Sequence, residues 1–392
     1  MNESRRLARI AFFGKVLFGR IVFLILFFFL FYSIGIFYLP YSGDGSHIAF
    51  LAEEGWAVTM HSPLTAVAHR AAYLILRPFE PKYTAEWYIA AAVNAVMKPM
   101  RTMSIGAHPA LDAFLSCGAY AESMAQLAKS THWGWYTTSA SSALAGSIAL
   151  QVLFAIRRHP LFLIANIFTG SFMVFAGEVE NYAWINLFLL LTFLYVEKYL
   201  LGQARLWPGA LCFFIAALFH GLALFYLPPL IWIMTKKKDY RPYEFLLPFL
   251  FYIGGYLLLN TALPHEGINI NIGRLVPWFK INRKGQHFTF FTWIHLYVKT
   301  YFHLCASYFG ILPAEWPLLF YFRRMIDGDF KRYLLFCSAI GLFWHTLWHP
   351  DLGWIDWDLF SQIYIPLHLL LGLLLSEQAE DWRRAGKRRD NA

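Results

Sequence analysis

From Ile21 to Leu39 the chain runs almost without a polar side chain, and Arg5, Arg6, Arg9, Lys15 and Arg20 stand just ahead of it. Such a stretch cannot stay exposed to water. It is close to the ~20 apolar residues that cross a bilayer as a helix. The pattern of an apolar run closed by arginine or lysine recurs down the chain. Composition decides between a buried core and a membrane: 58% of the 392 residues are hydrophobic and only 15% charged, where a soluble domain carries about 25% charge.

Further spans are expected at 138–156, 161–177, 183–200, 243–263, 293–322, 332–347 and 361–376. The run 208–234 is too long for one straight span. It holds His220-Gly221 and Pro228-Pro229, and it reads as two short helices broken near His220. Runs 63–76 and 85–99 are short for full spans and suit re-entrant or interfacial helices on the non-cytoplasmic face. The expected fold class is an all-α polytopic membrane protein with about 10–12 transmembrane helices. It forms a single transmembrane domain over 1–392, with outer loops 40–62, 100–136, 264–292 and 348–360 and a basic cytoplasmic tail at 377–392. The first run is too long for a signal peptide and lacks a small-residue cleavage site, so it reads as a signal anchor.

The net charge of +9 marks cytoplasmic ends rather than affinity for nucleic acid, and no nucleic-acid partner is expected. Alternate ends of the runs carry the cations, at 5–20, 157–158, 236–241, 323–332 and 383–389. The other ends carry Asp44, Glu178, Glu180, His220, Glu266, Asp351, Asp356 and Asp358. Positive-inside logic puts both termini in the cytoplasm and these acids on the opposite face. A channel would instead spread ionisable groups through the membrane's depth. No internal repeat is evident, which counts against many transporter folds. Phe, Tyr and Trp make up 19% of the chain, which suits interfacial belts and a groove for a lipid chain or sugar. Cys117, Cys212, Cys305 and Cys337 show no metal or disulfide spacing.

Asp44 lies in Ser-Gly-Asp-Gly-Ser at the outer end of the first run. Flanking glycines allow close approach of a ligand, and a carboxylate at a cavity edge can act as general base. Within it, Gly-Asp-Gly-Ser also suits a plain turn. Glu53 and Glu54 read as the solvated face of an interfacial helix, and His61 as its end. Glu178 and Glu180 straddle Val179 ahead of Asn181; acids at a membrane boundary either face protein or water, or simply end a span. Asp356 and Asp358 flank Trp357, where carboxylates can accept sugar hydroxyls and an indole can stack on a pyranose. A divalent cation is also chemically compatible with these acids, as is an interfacial aromatic loop. His220 is either a site residue or a hydrogen-bonded packing residue at a helix break. Arg274, Lys280, Arg283 and Lys284 place cations in an outer loop. They can bind a lipid phosphate, with Arg274 and Arg283 the better forks, or anionic headgroups.

This order of features resembles the GT-C glycosyltransferases, the superfamily of the protein O-mannosyltransferases and aminoarabinose-transferase-like enzymes. The likeness rests on Gly43-Asp44-Gly45 after the first span and on Gly177-Glu178-Val179-Glu180-Asn181-Tyr182. It rests too on His220 in a broken helix and on Asp356-Trp357-Asp358-Leu359-Phe360. The chain departs from the pattern in lacking an acidic doublet beside the first span and a large C-terminal domain. The resemblance implies a sugar transferase that uses a polyprenyl-phosphate-linked donor on the non-cytoplasmic face of a bacterial plasma membrane. Asp44 would be the general base on the acceptor. Glu178, Glu180, Asn181, His220, Arg274, Arg283, Asp356, Trp357 and Asp358 would bind substrate. The partners implied are the lipid-linked donor, a glycan, lipid or protein acceptor, and membrane lipids. Two other readings remain open at this point, a transporter or flippase of lipid-linked sugars and a membrane scaffold subunit without a site.

Overall fold

A computed structural model of the chain describes residues 18–33, 48–49, 52–53, 62–80, 132–177, 182–237, 240–262, 300, 303–308, 312–347 and 361–390, and the backbone of 281–283 and 286–288. The described helices are α1 (Phe18–Ser33), α2 (Pro63–Leu76), α3 (His132–Ile156), α4 (Pro160–Ile167), α5 (Gly170–Met173), α6 (Tyr182–Leu200) and α7 (Trp207–Phe219). They continue with α8 (Leu227–Met234), α9 (Tyr243–Ala262), α10 (Glu315–Phe322), α11 (Asp329–Leu347) and α12 (Ser361–Asp390). Proline stands in the first two positions of α2, α4, α7 and α8. There its missing N–H costs nothing and its fixed φ favours the turn.

Three helices, Trp133–Ile156 within α3, α6 and α9, are long and apolar enough to cross a membrane. On α9, Leu246, Leu247, Leu250, Phe251, Leu257 and Leu258 are all exposed. On α1 so are Leu26 and Phe29. Apolar faces this continuous are not sustained in water; lipid covers them at no cost. The architecture is consistent with an all-α membrane protein. A two-stranded antiparallel hairpin, β1 (Ile281–Arg283) with β2 (Gln286–Phe288), is the one regular sheet among the described residues.

α12 is the central helix. From Ser361 to Leu374 every residue is buried, and the helix packs on α4, α5, α6, α10 and α11. Pro366 lies inside it and can donate no hydrogen bond to the Gln362 carbonyl one turn back. Tyr226 fills that gap, its hydroxyl donating to Gln362 O at 3.0 Å.

The cationic helix ends meet at one end of the bundle. Arg157 pairs with Glu380 at 2.8 Å and Lys331 with Glu377 at 2.8 Å. Lys331 also pairs with Asp327. Lys236 reaches Asp329 at 3.8 Å, and the Lys237 ammonium lies 5.0 Å from the Tyr199 ring centre. The backbone of Arg20 joins the same end, accepting from Gln151 Nε2 at 3.5 Å. At the start of α7, Leu206 N donates to Glu244 Oε2 at 2.8 Å, and Arg205 stands 3.4 Å from Oε1. This buried carboxylate from α9 thus caps a neighbouring helix.

Several expected boundaries need correction. Residues 132–136 belong to α3 and not to the outer loop 100–136. The expected span 161–177 is broken at Phe168-Thr169 between α4 and α5. Residues 293–322 are not one helix. Ser307 and Tyr308 leave helical geometry, and only Glu315–Phe322 is regular again. The basic tail is helical, because α12 runs on to Asp390. The expected break near His220 is present, between α7 and a 3-10 turn over Gly221–Tyr226.

Candidate functional site: an outer rim and a buried histidine–glutamate–tyrosine cluster

Of the residues expected to form the site, His220 is described with its side chain. It is buried and extended (φ −160°, ψ 130°), and its Nδ1 accepts from Leu222 N at 3.2 Å. The ring caps the 3-10 turn, so the packing role anticipated for it is filled and Nδ1 is committed. Arg283 ends β1, opposite Gln286. Asp44, Glu178, Glu180, Asn181, Arg274, Asp356, Trp357 and Asp358 lie outside the described residues.

The residues that flank those segments do come together, at the end of the bundle away from the paired cations. Tyr182, beside Asn181, has its ring 5.7 Å from that of His220. Asn186, one turn further along α6, donates to Ser361 Oγ at 3.0 Å, and Ser361 follows Asp358 by three residues. Thr65 at the start of α2 donates to Phe219 O at 2.8 Å. Ile48, Ala49 and Ala52, just beyond Asp44, are buried. Glu53 accepts from Gly134 N in the first turn of α3. Glu53 is therefore a helix cap and not the solvated side chain expected of it.

Deeper in the bundle lies a cluster that the sequence reading passes over. His303, Glu315, His345, Tyr364 and His368 come from four separate stretches of chain. Glu315 is fully buried and His368 is 2% exposed. His368 Nε2 stands 3.2 Å from Glu315 Oε1, and His303 Nε2 stands 3.9 Å from Oε2. Trp316 Nε1 donates to His303 Nε2 at 3.2 Å. That nitrogen is then a lone pair, and the ring proton sits on Nδ1, which donates to the Tyr364 oxygen at 3.1 Å. The Tyr364 hydroxyl is left to donate to His345 Nδ1 at 2.7 Å. The donors therefore run in one direction, from Trp316 through His303 and Tyr364 to His345.

The cluster hangs on a close backbone contact. Gly170 N donates to Ser307 O at 2.9 Å, and Ser171 Oγ to Ala306 O at 3.2 Å. Thr169 forms an isolated bridge with Tyr308. A Cβ on Gly170 would lie 1.4 Å from Cys305 O, so only glycine lets these backbones meet. The depth of the site follows from α12. His368 is seven residues past Ser361 and nine short of Glu377, about 10 Å and 13 Å at helical rise. Ionisable groups are thus not confined to one surface, contrary to the sequence expectation.

The His303 lone pair nearest Glu315 already accepts from Trp316. Among the described residues no group of three or more His, Cys, Asp or Glu is placed to hold a metal ion. Comparison with family models, with curated proteins and with solved structures returns no match. The site's chemistry has to be argued from its residues alone.

Proposed function

We propose that the chain is a multi-pass membrane glycosyltransferase of the GT-C kind. It moves a sugar from a polyprenyl-phosphate donor to an acceptor hydroxyl on the non-cytoplasmic face. The observation that carries this reading is the contact, opposite the cationic end, between Asn186 and Ser361, which stand beside the acidic segments 178–181 and 356–358, with the His220 ring next to Tyr182. Residues next to two acidic segments far apart in sequence thereby touch, which supports a site shared by Glu178, Glu180, Asn181, Asp356, Trp357 and Asp358; Asp44 is added to it by the sequence reading.

In this mechanism Asp44 takes the acceptor proton while the acceptor oxygen attacks the anomeric carbon. The lipid phosphate departs, its charge met by Arg274 or Arg283. A leaving group that is already a phosphate needs electrostatic stabilisation more than a proton donor, so one base suffices where a glycosidase uses two carboxylates. Replacing Asp44 by Asn is expected to reduce transfer by about 100- to 10,000-fold, with expression and thermal stability unchanged. Near-normal transfer by that variant in proteoliposomes supplied with a polyprenyl-phosphate sugar overturns the reading. Charge reversal at Arg274 and at Arg283 is expected to weaken donor binding.

The buried cluster favours a second reading, a transporter or flippase of lipid-linked sugars, because ionisable groups inside a membrane commonly mark substrate or proton pathways. The same proteoliposomes separate the two. Product without net movement of the donor supports the enzyme, and movement without product supports the transporter.

A further inference from the structure

Aromatic rings stand beside the cations at the cationic end of the bundle. The Lys236 ammonium lies 4.3 Å from the Trp232 ring centre, Lys237 lies 5.0 Å from that of Tyr199, and the Arg323 guanidinium lies 4.0 Å from that of Phe320. Rings and cations gather in this way at headgroup depth. α12 runs on past that level. Glu377 and Glu380 tie it to Lys331 and Arg157, and from Asp381 to Lys387 every residue is exposed. Trp382 is 66% exposed. An indole this bare suits the headgroup layer, where both its apolar body and its N–H are met. Arg383, the next residue, then lies in the same layer, which is about 5–8 Å thick.

We propose that the recess between the projecting end of α12 and the α3–α4 corner binds the phosphate of an anionic phospholipid, through Arg158, Arg383 and Lys387. α4 and α12 run antiparallel, with Gly372 against Phe162 and Glu380 paired with Arg157. Arg158 therefore comes level with Glu380. Arg383 and Lys387 follow Glu380 by three and seven residues, so they share its side of α12. They stand about 4.5 Å and about 10 Å further out along the axis. All three cations are exposed.

The acids at this level are already engaged. Glu380 is held by Arg157 at 2.8 Å and by Arg384 at 3.6 Å, and Asp381 stands 3.9 Å from Arg384. Among the described residues Arg158, Arg383 and Lys387 pair with no acid. An arginine fork can take two phosphate oxygens at once, and the lysine adds a point charge on a stem long enough to reach back into the layer. Depth selects a lipid over a soluble acidic protein, because Trp382 sits between Glu380 and Arg383 on the same helix. The site lies at the opposite end of the bundle from the rim assigned to sugar transfer and does not depend on that reading.

Native mass spectrometry on the detergent-purified full chain, titrated with phosphatidylglycerol, tests it. Replacing Arg158, Arg383 and Lys387 together by Gln is expected to weaken binding of the first lipid about 100-fold. The control replaces Arg323, Arg324 and Arg332 by Gln, which removes the same charge from the same end, and is expected to weaken it by no more than about threefold. All six side chains are exposed, so both variants are expected to keep the Tm of the unaltered chain. If the two variants weaken binding equally, the lipid reads only the diffuse charge of this end and the proposal fails. If phosphatidylcholine binds as tightly as phosphatidylglycerol, no anionic headgroup is selected and the recess is left to a soluble acidic partner, which also overturns it. Inorganic phosphate is expected to leave the bound lipid in place; if it occupies the site as tightly, the ligand is a free anion and the lipid assignment falls.

Discussion

Replacing Gly170 by alanine tests whether the segment 303–308 is locked to α5 as described. The added Cβ would lie 1.4 Å from Cys305 O and 3.1 Å from Ala306 Cα, where ordinary contact begins at 3.4 Å. The two backbones must therefore part by about 2 Å along that direction. Such a shift takes the Gly170 N to Ser307 O bond, now 2.9 Å, out of range, and with it the 3.2 Å bond from Ser171 Oγ to Ala306 O. Two lost hydrogen bonds cost about 0.5–1.5 kcal/mol each, and overpacking adds about 1–3 kcal/mol. The sum, about 2–6 kcal/mol, is expected to lower the Tm in detergent by about 2–7 °C for a chain of this length. Gly254→Ala is the matched control. It sits in α9 with nothing within 4 Å of an added Cβ, and its Tm is expected to stay level or rise slightly. The segment carries His303, so the 170 variant also withdraws the partner of Tyr364. A Tm for Gly170→Ala equal to that of the control would refute the contact and the placement of His303 that depends on it.

Three further predictions concern the framework. Tyr364→Phe removes the hydroxyl between His303 Nδ1 and His345 Nδ1. With the hydroxyl that joins the two rings gone, thermal or denaturant unfolding is expected to show a loss of about 1–3 kcal/mol. Glu244→Ala strips the cap from Leu206 N and the partner from Arg205. It is expected to cost about 1–2 kcal/mol by the same measurement, and the conservative Gln is expected to recover part of it. The hydrogen bond from Lys331, together with its charge, holds the Asp327 carboxyl below the ordinary carboxylate range. A depressed carboxyl stabilises the fold above its unfolded pKa, about 3.9, and that contribution disappears as pH falls through the lower folded value. Asp327→Asn is therefore expected to be slightly less stable than the unaltered chain at neutral pH and equal to it in strong acid. Because Asp327 is largely exposed, high salt is expected to shrink the neutral-pH difference.

What could be read in advance follows from how each signal is carried. Helices α3, α6 and α9 are visible because length and apolarity are local properties of one stretch. The break at His220 is visible because the run around it is too long to be straight. The failure at 293–322 is of another kind. Hydropathy cannot see that Ser307 and Tyr308 turn to dock on Gly170, since the docking partner lies more than a hundred residues away. The cluster escaped for a related reason. Its members sit singly in apolar runs, and no short motif joins Glu315 to His368 or His303 to Tyr364. One signal was nevertheless present. A histidine or glutamate inside an apolar run is a functional suspect by default, which is why His220 was singled out. Applied evenly, the same rule picks out His303, Glu315, His345 and His368. In the structure they differ in what holds them. His220 spends Nδ1 on a local cap two residues away. Glu315 and His368 meet across 53 residues of sequence with no backbone group to satisfy. A polar side chain that a helix break explains has less left to give to chemistry. One that nothing local explains, held in the centre of the bundle against a second ionisable group, is where substitution is most informative.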